Sequence, residues 1–412
     1  MFHSKNRLHR SLIGVLWLFV LLVAAIVPAQ AQTVTVTDEN GIVYDIVDKA
    51  KMTVKVSATN ATQLASAANP KDVVIPATVT DHSTSATTTE PWTVIGMADR
   101  AFRKAAGLRS ITIEAPLTEI SQFSFNDCAN LESVTLPETV KSLGQHSFSQ
   151  CPKLKSITGI DNVITIASYA FYRCSSLTDI TLPSTLTLLQ SVAFQECTSL
   201  ERITIPGSVK ELQASTFQDC TSLAEVILEE SVQIIGQKAF QGCTSLVHPA
   251  FPASLQRLDP YAFSKCDNLG TVTIQHVYYS NQVYSESTIQ EIVFPESDGN
   301  PTPYIGNNLF EKVKGLTEIN VTGFNTLPDG TFLECPDLTT VTLAEGFKTV
   351  GHYAFQKCRR RTVRNLCLQS VQPLVNHLPR RADGLHGRRS IRPAAQYQID
   401  DHPRVAGDRA QQ

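Results

Sequence analysis

Ala193–Leu200 reads AFQECTSL and runs on as ERITIP to Pro206. Thr216–Leu223 reads TFQDCTSL and Ala239–Leu246 reads AFQGCTSL, each 23 residues after the last. The Phe of this motif falls at Phe102, Phe125, Phe148, Phe171, Phe194, Phe217, Phe240 and Phe263, always at that interval. Three residues later stand Cys128, Cys151, Cys174, Cys197, Cys220, Cys243 and Cys266, and only Ala105 breaks the column. Three further on come Leu108, Leu131, Leu154, Leu177, Leu200, Leu223, Leu246 and Leu269. The motif resumes at Phe310, Phe332 and Phe355, with Cys335 and Cys358. A constant period in this range is the mark of a solenoid. One coil cannot bury its own Phe, Cys and Leu, but a stack of coils can, so each copy fills the same slot in one continuous core.

The rest of the unit reads by alternation. In Leu131–Pro137 (LESVTLP), Val134 and Leu136 share one face and Thr135 takes the other, as in a short strand. Pro137 cannot extend the ladder, so the chain turns. Val140 and Leu143 face inward again. The spacing of three between Phe, Cys and Leu predicts a tight helical turn with its apolar residues on one side.

These residues carry a resemblance. The unit L-x-x-I-T-I-P-x-x-V-x-x-L-G-x-x-A-F-x-x-C-x-x-L is similar to the BspA-like leucine-rich repeats of exported bacterial proteins and some protist surface proteins, over residues 73–358. The resemblance implies a right-handed stack of 23-residue coils with short parallel strands, and a role in adhesion to host or neighbouring cells. Residues 32–72, with the alternation of TVTVTDENGIVYDIV, are expected to form a β-rich N-terminal cap.

Both ends stand apart. Lys5, Arg7 and Arg10 precede an apolar run from Leu12 to Val27, and Ala29-Gln30-Ala31 is a cleavage signature. Residues 1–31 therefore read as a signal peptide, with export and no membrane span after cleavage. The first cysteine is Cys128, so an N-terminal lipid anchor is not expected. At the other end a Leu is due at 361, but Arg359-Arg360-Arg361 stands there and the period stops. Residues 359–412 hold 11 Arg, 4 Asp and neither Lys nor Glu, a net charge of +7 against −10 for the chain before them. A basic tail for anionic polymers or membranes and a short Arg-rich domain are two readings. The reading adopted is a shifted frame beginning near Cys358, which leaves 359–412 a disordered, non-functional tail.

The period also fails from Phe263 to Phe310, a gap of 47 residues. The irregular insert at 275–304 contains HVYYSNQVY, and Tyr278, Tyr279 and Tyr284 are the ligand-binding candidates there, because tyrosine on a loop over a rigid scaffold suits an interface. The alternative is a decayed coil whose tyrosines cover the core.

Chemistry elsewhere is sparse. The whole chain carries a net charge of −3, which gives no case for nucleic acid. No zinc-type Cys/His spacing and no catalytic signature occurs, so neither metal, cofactor nor catalytic residue is assigned. Stacked ladder cysteines point the same way and read as small buried hydrophobes with free thiols. His82, His146, His248, His276 and His352 occupy unlike places in the repeat and read as solvated. The outward strand position holds Thr112, Thr135, Thr158, Thr181, Thr204, Thr273 and Thr342, which strand propensity explains and which can also order water or ligand hydroxyls. The expected function is a non-catalytic, monomeric binding protein for an extracellular macromolecule. The alternative is a secreted glycan-active enzyme with Glu286 and Glu291 in the insert.

Overall fold

In a computed structural model of the chain, the described residues are 35–66, 68–83, 89–295, 303–344 and 347–358, with the backbone alone of 361–364 and 397–399. The expected signal peptide, residues 84–88 and residues 296–302 lie outside them.

Two parallel ladders run along the molecule, because most coils contribute one long and one short strand. The long ladder begins with Lys71–Ile75, Leu108–Ile113, Ser133–Thr135 and Ser156–Thr158. It continues as the pairs Arg202–Ile205 with Glu225–Leu228, and Gly270–Thr273 with Ile289–Val293. The short ladder runs from Glu119–Ile120 to Leu188–Leu189, and again from Glu211–Leu212 through Arg257–Leu258 to Tyr278–Tyr279. Partners are 23 residues apart in the regular coils, as in Ser142↔Thr165 and Ile234↔Arg257. The inner residues of both ladders are buried and the Thr column faces out, five of its seven members exposed and Thr112 and Thr342 partly so.

Before the first coil, Thr35–Thr37, Val43–Asp48 and Thr53–Val56 form antiparallel pairs, and Thr53–Val56 then runs parallel to Trp92–Met97. Trp92–Met97 thus belongs to this sheet, while Lys71–Ile75 already belongs to the long ladder, so the two units interleave around the expected boundary at 72.

The core is a stack of rings. Phe102 through Phe263, then Tyr284, Phe310, Phe332 and Phe355, follow one another with centroids 5.0 to 5.7 Å apart and planes within 15°. Each ring is buried. Burying a ring of this size stabilises by roughly 1.5 to 3 kcal/mol before packing is counted, so this column and the Leu column dominate stability.

The segment around each ring is not a helical turn. The residues two before and two after the ring have positive φ: Phe123 (56°) and Asp127 (62°) around Phe125, Ser215 (57°) and Asp219 (58°) around Phe217. A left-handed residue on either side ends any helix. Glycine fills the slot only at Gly242 and Gly330. Strain at the other slots, about 1 to 3 kcal/mol per non-glycine residue, is offset by a third set of backbone bonds between coils. Phe125 N–H donates to Ser147 O at 2.7 Å and Asp127 N–H to Ser149 O at 2.8 Å, and the same bonds recur coil after coil. Among the described residues the one α-helix is Asn60–Gln63.

The cysteines do more than fill space. Each of the nine ladder thiols donates to the carbonyl of the ring residue one coil back, from Cys128 to Phe102 (3.0 Å) to Cys358 to Phe332 (3.0 Å), all within 3.0 to 3.2 Å. Burial pushes Cys174 and Cys220 up to about 12, so they remain protonated donors. Ser287 takes the slot behind Tyr284 and makes the same bond to Phe263 O at 2.7 Å. In ten of the twelve coils the slot therefore holds a small residue with a proton to donate, which hydrophobicity alone does not explain; Ala105 and Val313 are the exceptions.

Past Cys358 the expected loss of strands is corrected for one rung. Arg361–Arg364 pairs in parallel with Thr340–Leu343, Val341 opposite Val363, and Tyr397–Ile399 pairs antiparallel with it. The rest of 359–412, and with it the shifted frame and the disorder, lies outside the described residues.

Candidate binding surface

The gap of 47 residues contains a whole coil. From Phe263 to Tyr284 is 21 residues and from Tyr284 to Phe310 is 26, so two off-period steps restore the stack. That placement corrects two of the three binding candidates. Tyr284 occupies the ring slot and is fully buried, and Tyr279 is the buried inner residue of its short strand. Neither can touch a ligand. Their hydroxyls are satisfied inside: Tyr279 Oη accepts from the Gln275 N–H at 3.0 Å, and Tyr284 Oη shares a hydrogen bond with His248 Nε2 at 3.0 Å. His248 is consequently no solvated residue. Its ring packs against Phe251, Phe263 and Tyr284, and burial lowers its pKa to about 4, leaving it neutral.

Tyr278 alone of the three faces out, 43% exposed. Its ring stacks on that of Tyr304, which is 58% exposed, with centroids 4.5 Å apart and planes within 2°. The ladder fixes this pair, since Tyr279 bridges Ile305 and the Tyr279 N–H donates to Tyr304 O at 2.9 Å. On the other side of Tyr278 in the same column stands Arg257, whose guanidinium pairs with Asp259 at 2.8 Å. Tyr304 was not singled out from the sequence. The signal is there, since Ile305-Gly306 aligns with Tyr279-Ser280 and puts Tyr304 in the Tyr278 column.

Beyond Tyr304 the short ladder opens. In coil after coil one N–H crosses to the preceding coil: Gly144 to Ile120 O, Asp259 to Ile235 O, Ser280 to Leu258 O, Gly306 to Tyr279 O. The next residue in that column is Pro328, which has no N–H to give Ile305. Pairing resumes one coil later, Thr326–Leu327 with Thr349–Val350, where Gly351 N–H donates to Leu327 O at 2.8 Å. A cavity of about 320 Å³ lies at the opening, lined by Tyr304 and Ile305 from one coil and by Phe324 to Thr326 and Pro328 from the next.

The carboxylates of the enzymatic alternative do not converge. Glu286 sits in a left-handed slot near Lys265 (3.9 Å), and Glu291 lies on the outward face of the long ladder, accepting from Thr271 Oγ1 at 3.0 Å. Neither lines the cavity.

Two other surfaces are regular. Outward positions of the long ladder give a hydroxyl patch, Ser110, Ser133 and Ser156 beside Thr112, Thr135 and Thr158. They then diversify: Arg202, Glu225 and Glu291 occupy the Ser column. Along the turns, Phe123, His146 and Tyr169 stack at 4.7 and 4.5 Å, with the Arg100 guanidinium 5.3 Å from the Phe123 ring. His146 is half-buried there and burial lowers its pKa, which corrects its reading as solvated.

Among the described residues no group of His, Cys, Asp and Glu is arranged to hold a metal ion, and no helix is long and apolar enough to cross a membrane.

Comparison with known proteins agrees with this architecture. The sequence profile described as "BspA type Leucine rich repeat region" matches in six copies, over residues 93–224, 189–300 and 279–364. A leucine-rich repeat protein from Bacteroides ovatus is similar at 28% identity and a TM-score of 0.64, over 77% of this chain and 78% of that one. A leucine rich cell surface protein from Faecalibacterium prausnitzii is similar at 20% identity and a TM-score of 0.46, over 80% and 93%. No curated protein matches the chain.

Proposed function

Since the chain belongs to the family of BspA-type leucine-rich repeat proteins, we propose that it is a non-catalytic, exported binding protein that acts at the cell surface by recognising another macromolecule. One observation carries this reading: the inward slots repeat coil after coil while the outward column beside the threonines changes from Ser to Arg202, Glu225 and Glu291. Such a stack is a rigid rod that presents a long surface of varied side chains. The charge sequence on one outward column, from serines to Arg202 and Glu225, gives that surface a direction and hence a register for a partner. The apolar run and the Ala29-Gln30-Ala31 signature support export, and the partner is an extracellular protein bound in adhesion. A monomer suffices, because the stack buries its ring column within one chain.

Two measurements test this. N-terminal sequencing of the exported protein is expected to start at Gln32. The purified protein is expected to bind saturably to at least one extracellular-matrix protein in a solid-phase panel, and Arg202→Glu with Glu225→Arg is expected to weaken that binding with the melting curve unchanged. Retention of the protein inside the cell, or a folded protein that binds none of the panel, overturns the reading.

A further inference from the structure

We propose that the opening in the short ladder at Pro328 is a binding subsite for a neutral sugar ring, with Tyr304 as its stacking platform. It is a different surface from the outward face invoked for protein recognition, and it stands or falls separately.

One face of the Tyr304 ring is occupied by Tyr278, and Tyr304 also lines the cavity together with Phe324 and Pro328. An exposed aromatic is usually mobile. This one is braced by a second ring in near-perfect parallel and by a backbone bond to the neighbouring coil. A preorganised ring face gives up little entropy when something stacks on it.

The chemistry of the lining narrows the ligand. Pro303, Ile305, Phe324 and Pro328 supply apolar surface, while Asn325 and Thr326 supply an amide and a hydroxyl. Among the described residues no lining side chain is charged. A carboxylate, sulfate or phosphate would lose its hydration there with no counter-charge in the lining. The fitting ligand is uncharged, offers a flat apolar face to Tyr304, and carries hydroxyls around its edge for Asn325 and Thr326. A hexopyranose has those features: its axial C–H groups make the face and its equatorial hydroxyls the rim. About 320 Å³ is at the small end of the roughly 300 to 1,000 Å³ of ligand pockets, which suits one or two rings of a glycan chain. The opening is not a packing accident of a flexible loop. It follows from Pro328 occupying the donor column, in a coil whose ring residues Phe310 and Phe332 still stack at 5.3 Å.

Binding without turnover is the expected outcome, because among the described residues the lining holds no carboxylic acid to protonate a glycosidic oxygen.

The test titrates the full-length exported protein with neutral linear hexaoses: cellohexaose, maltohexaose, mannohexaose and galactohexaose. Calorimetry and saturation-transfer NMR report binding. Saturable binding of at least one is expected, with saturation transfer strongest at ring C–H protons. Tyr304→Ala is expected to weaken it at least tenfold, Asn325→Ala severalfold, and Tyr304→Phe little, with unchanged melting curves. Tyr353→Ala removes another exposed tyrosine and is expected to change nothing. Absence of binding by all four sugars overturns the proposal. So does binding that Tyr304→Ala leaves intact, or a tighter, Tyr304-dependent fit to a sulfated hexasaccharide or a proline-rich peptide. Loss of sugar binding with matrix-protein binding retained leaves the protein-recognition reading standing.

Discussion

The coils from Phe102 to Phe263 and the two coils from Tyr278 to Leu327 solve the same packing problem differently. In the first run the interval is constant, the ring is always Phe, and the slot three residues on holds Cys in every coil after the first. In the second the intervals are 21, 26 and 22, the ring is once Tyr, the Cys slot holds Ser287 and Val313, and the short ladder breaks at a proline, Pro328, where the break in the regular run after Leu188–Leu189 has none. Yet the rings stack at 5.3 to 5.7 Å in the second region, inside the range of 5.0 to 5.7 Å for the whole column. The core tolerates no change of spacing, so every irregularity is expelled to the surface. That is why the candidate site lies where the period fails.

If the ring column sets stability in both regions, its removal has the largest effect. Phe194→Ala in the regular run is expected to cost about 3 to 5 kcal/mol, the usual scale for emptying an aromatic site, read as a shift in chemical denaturation. Tyr284→Phe keeps the ring and is expected to cost only about 1 to 2 kcal/mol, from leaving His248 without its partner. A cost below about 1 kcal/mol for Phe194→Ala would show that the stack is not what holds the coils together.

A middle-sized effect separates the regions by pH. His248, in contact with the off-period ring, has its pKa depressed from 6.5 to about 4. The unfolded chain takes up that proton near pH 6.5 and the folded chain resists it. The stability is therefore fully present above 6.5 and is lost as pH falls toward 4. The gap from 6.5 to about 4 corresponds to roughly 3 kcal/mol. The double variant His248→Phe with Tyr284→Phe removes both polar groups, and its stability is expected to fall less than the parent's between pH 7 and 4, the difference isolating His248 from the carboxylates common to both. Parallel curves would mean that the imidazole is not held neutral.

Much of this was legible in the sequence, because inward slots repeat. Phe, Cys and Leu columns, alternating strands and an outward Thr column follow from spacing alone, and each lies where the register puts it. What was not legible depends on contacts between coils. Whether Tyr284 is a surface or a ring residue turns on a 21-residue step that looks like a loss of pattern. The bond from each thiol to a carbonyl of the preceding coil has no local signature, and neither does the pairing of Tyr278 with Tyr304 until both are set in one register. The helical turn was misread because residues with side chains rarely adopt positive φ. Here the chain accepts that strain at two slots per coil in exchange for backbone bonds to its neighbours.

The smallest expected effect shows that the regular run is not free of local conflict. Its left-handed slots mostly hold unbranched or polar residues such as Lys104, Asp127, Gln150, Arg173 and Ser215, which bear positive φ with modest strain. Val192 holds one at φ 65°, where two methyls on Cβ crowd the backbone. Its N–H still donates to Ala214 O at 3.0 Å, so the inter-coil bond is made in spite of the side chain. Asparagine tolerates the left-handed region far better than valine. Val192→Asn is therefore expected to stabilise the protein by about 1 kcal/mol, and Val192→Gly by less, since glycine adds freedom to the unfolded chain. Val192 is only partly buried, so little apolar packing is given up. Thermal or urea denaturation of the three proteins decides it. If Val192→Asn is destabilising, side-chain packing at this slot outweighs backbone strain, and the slots are selected by their neighbours rather than by φ.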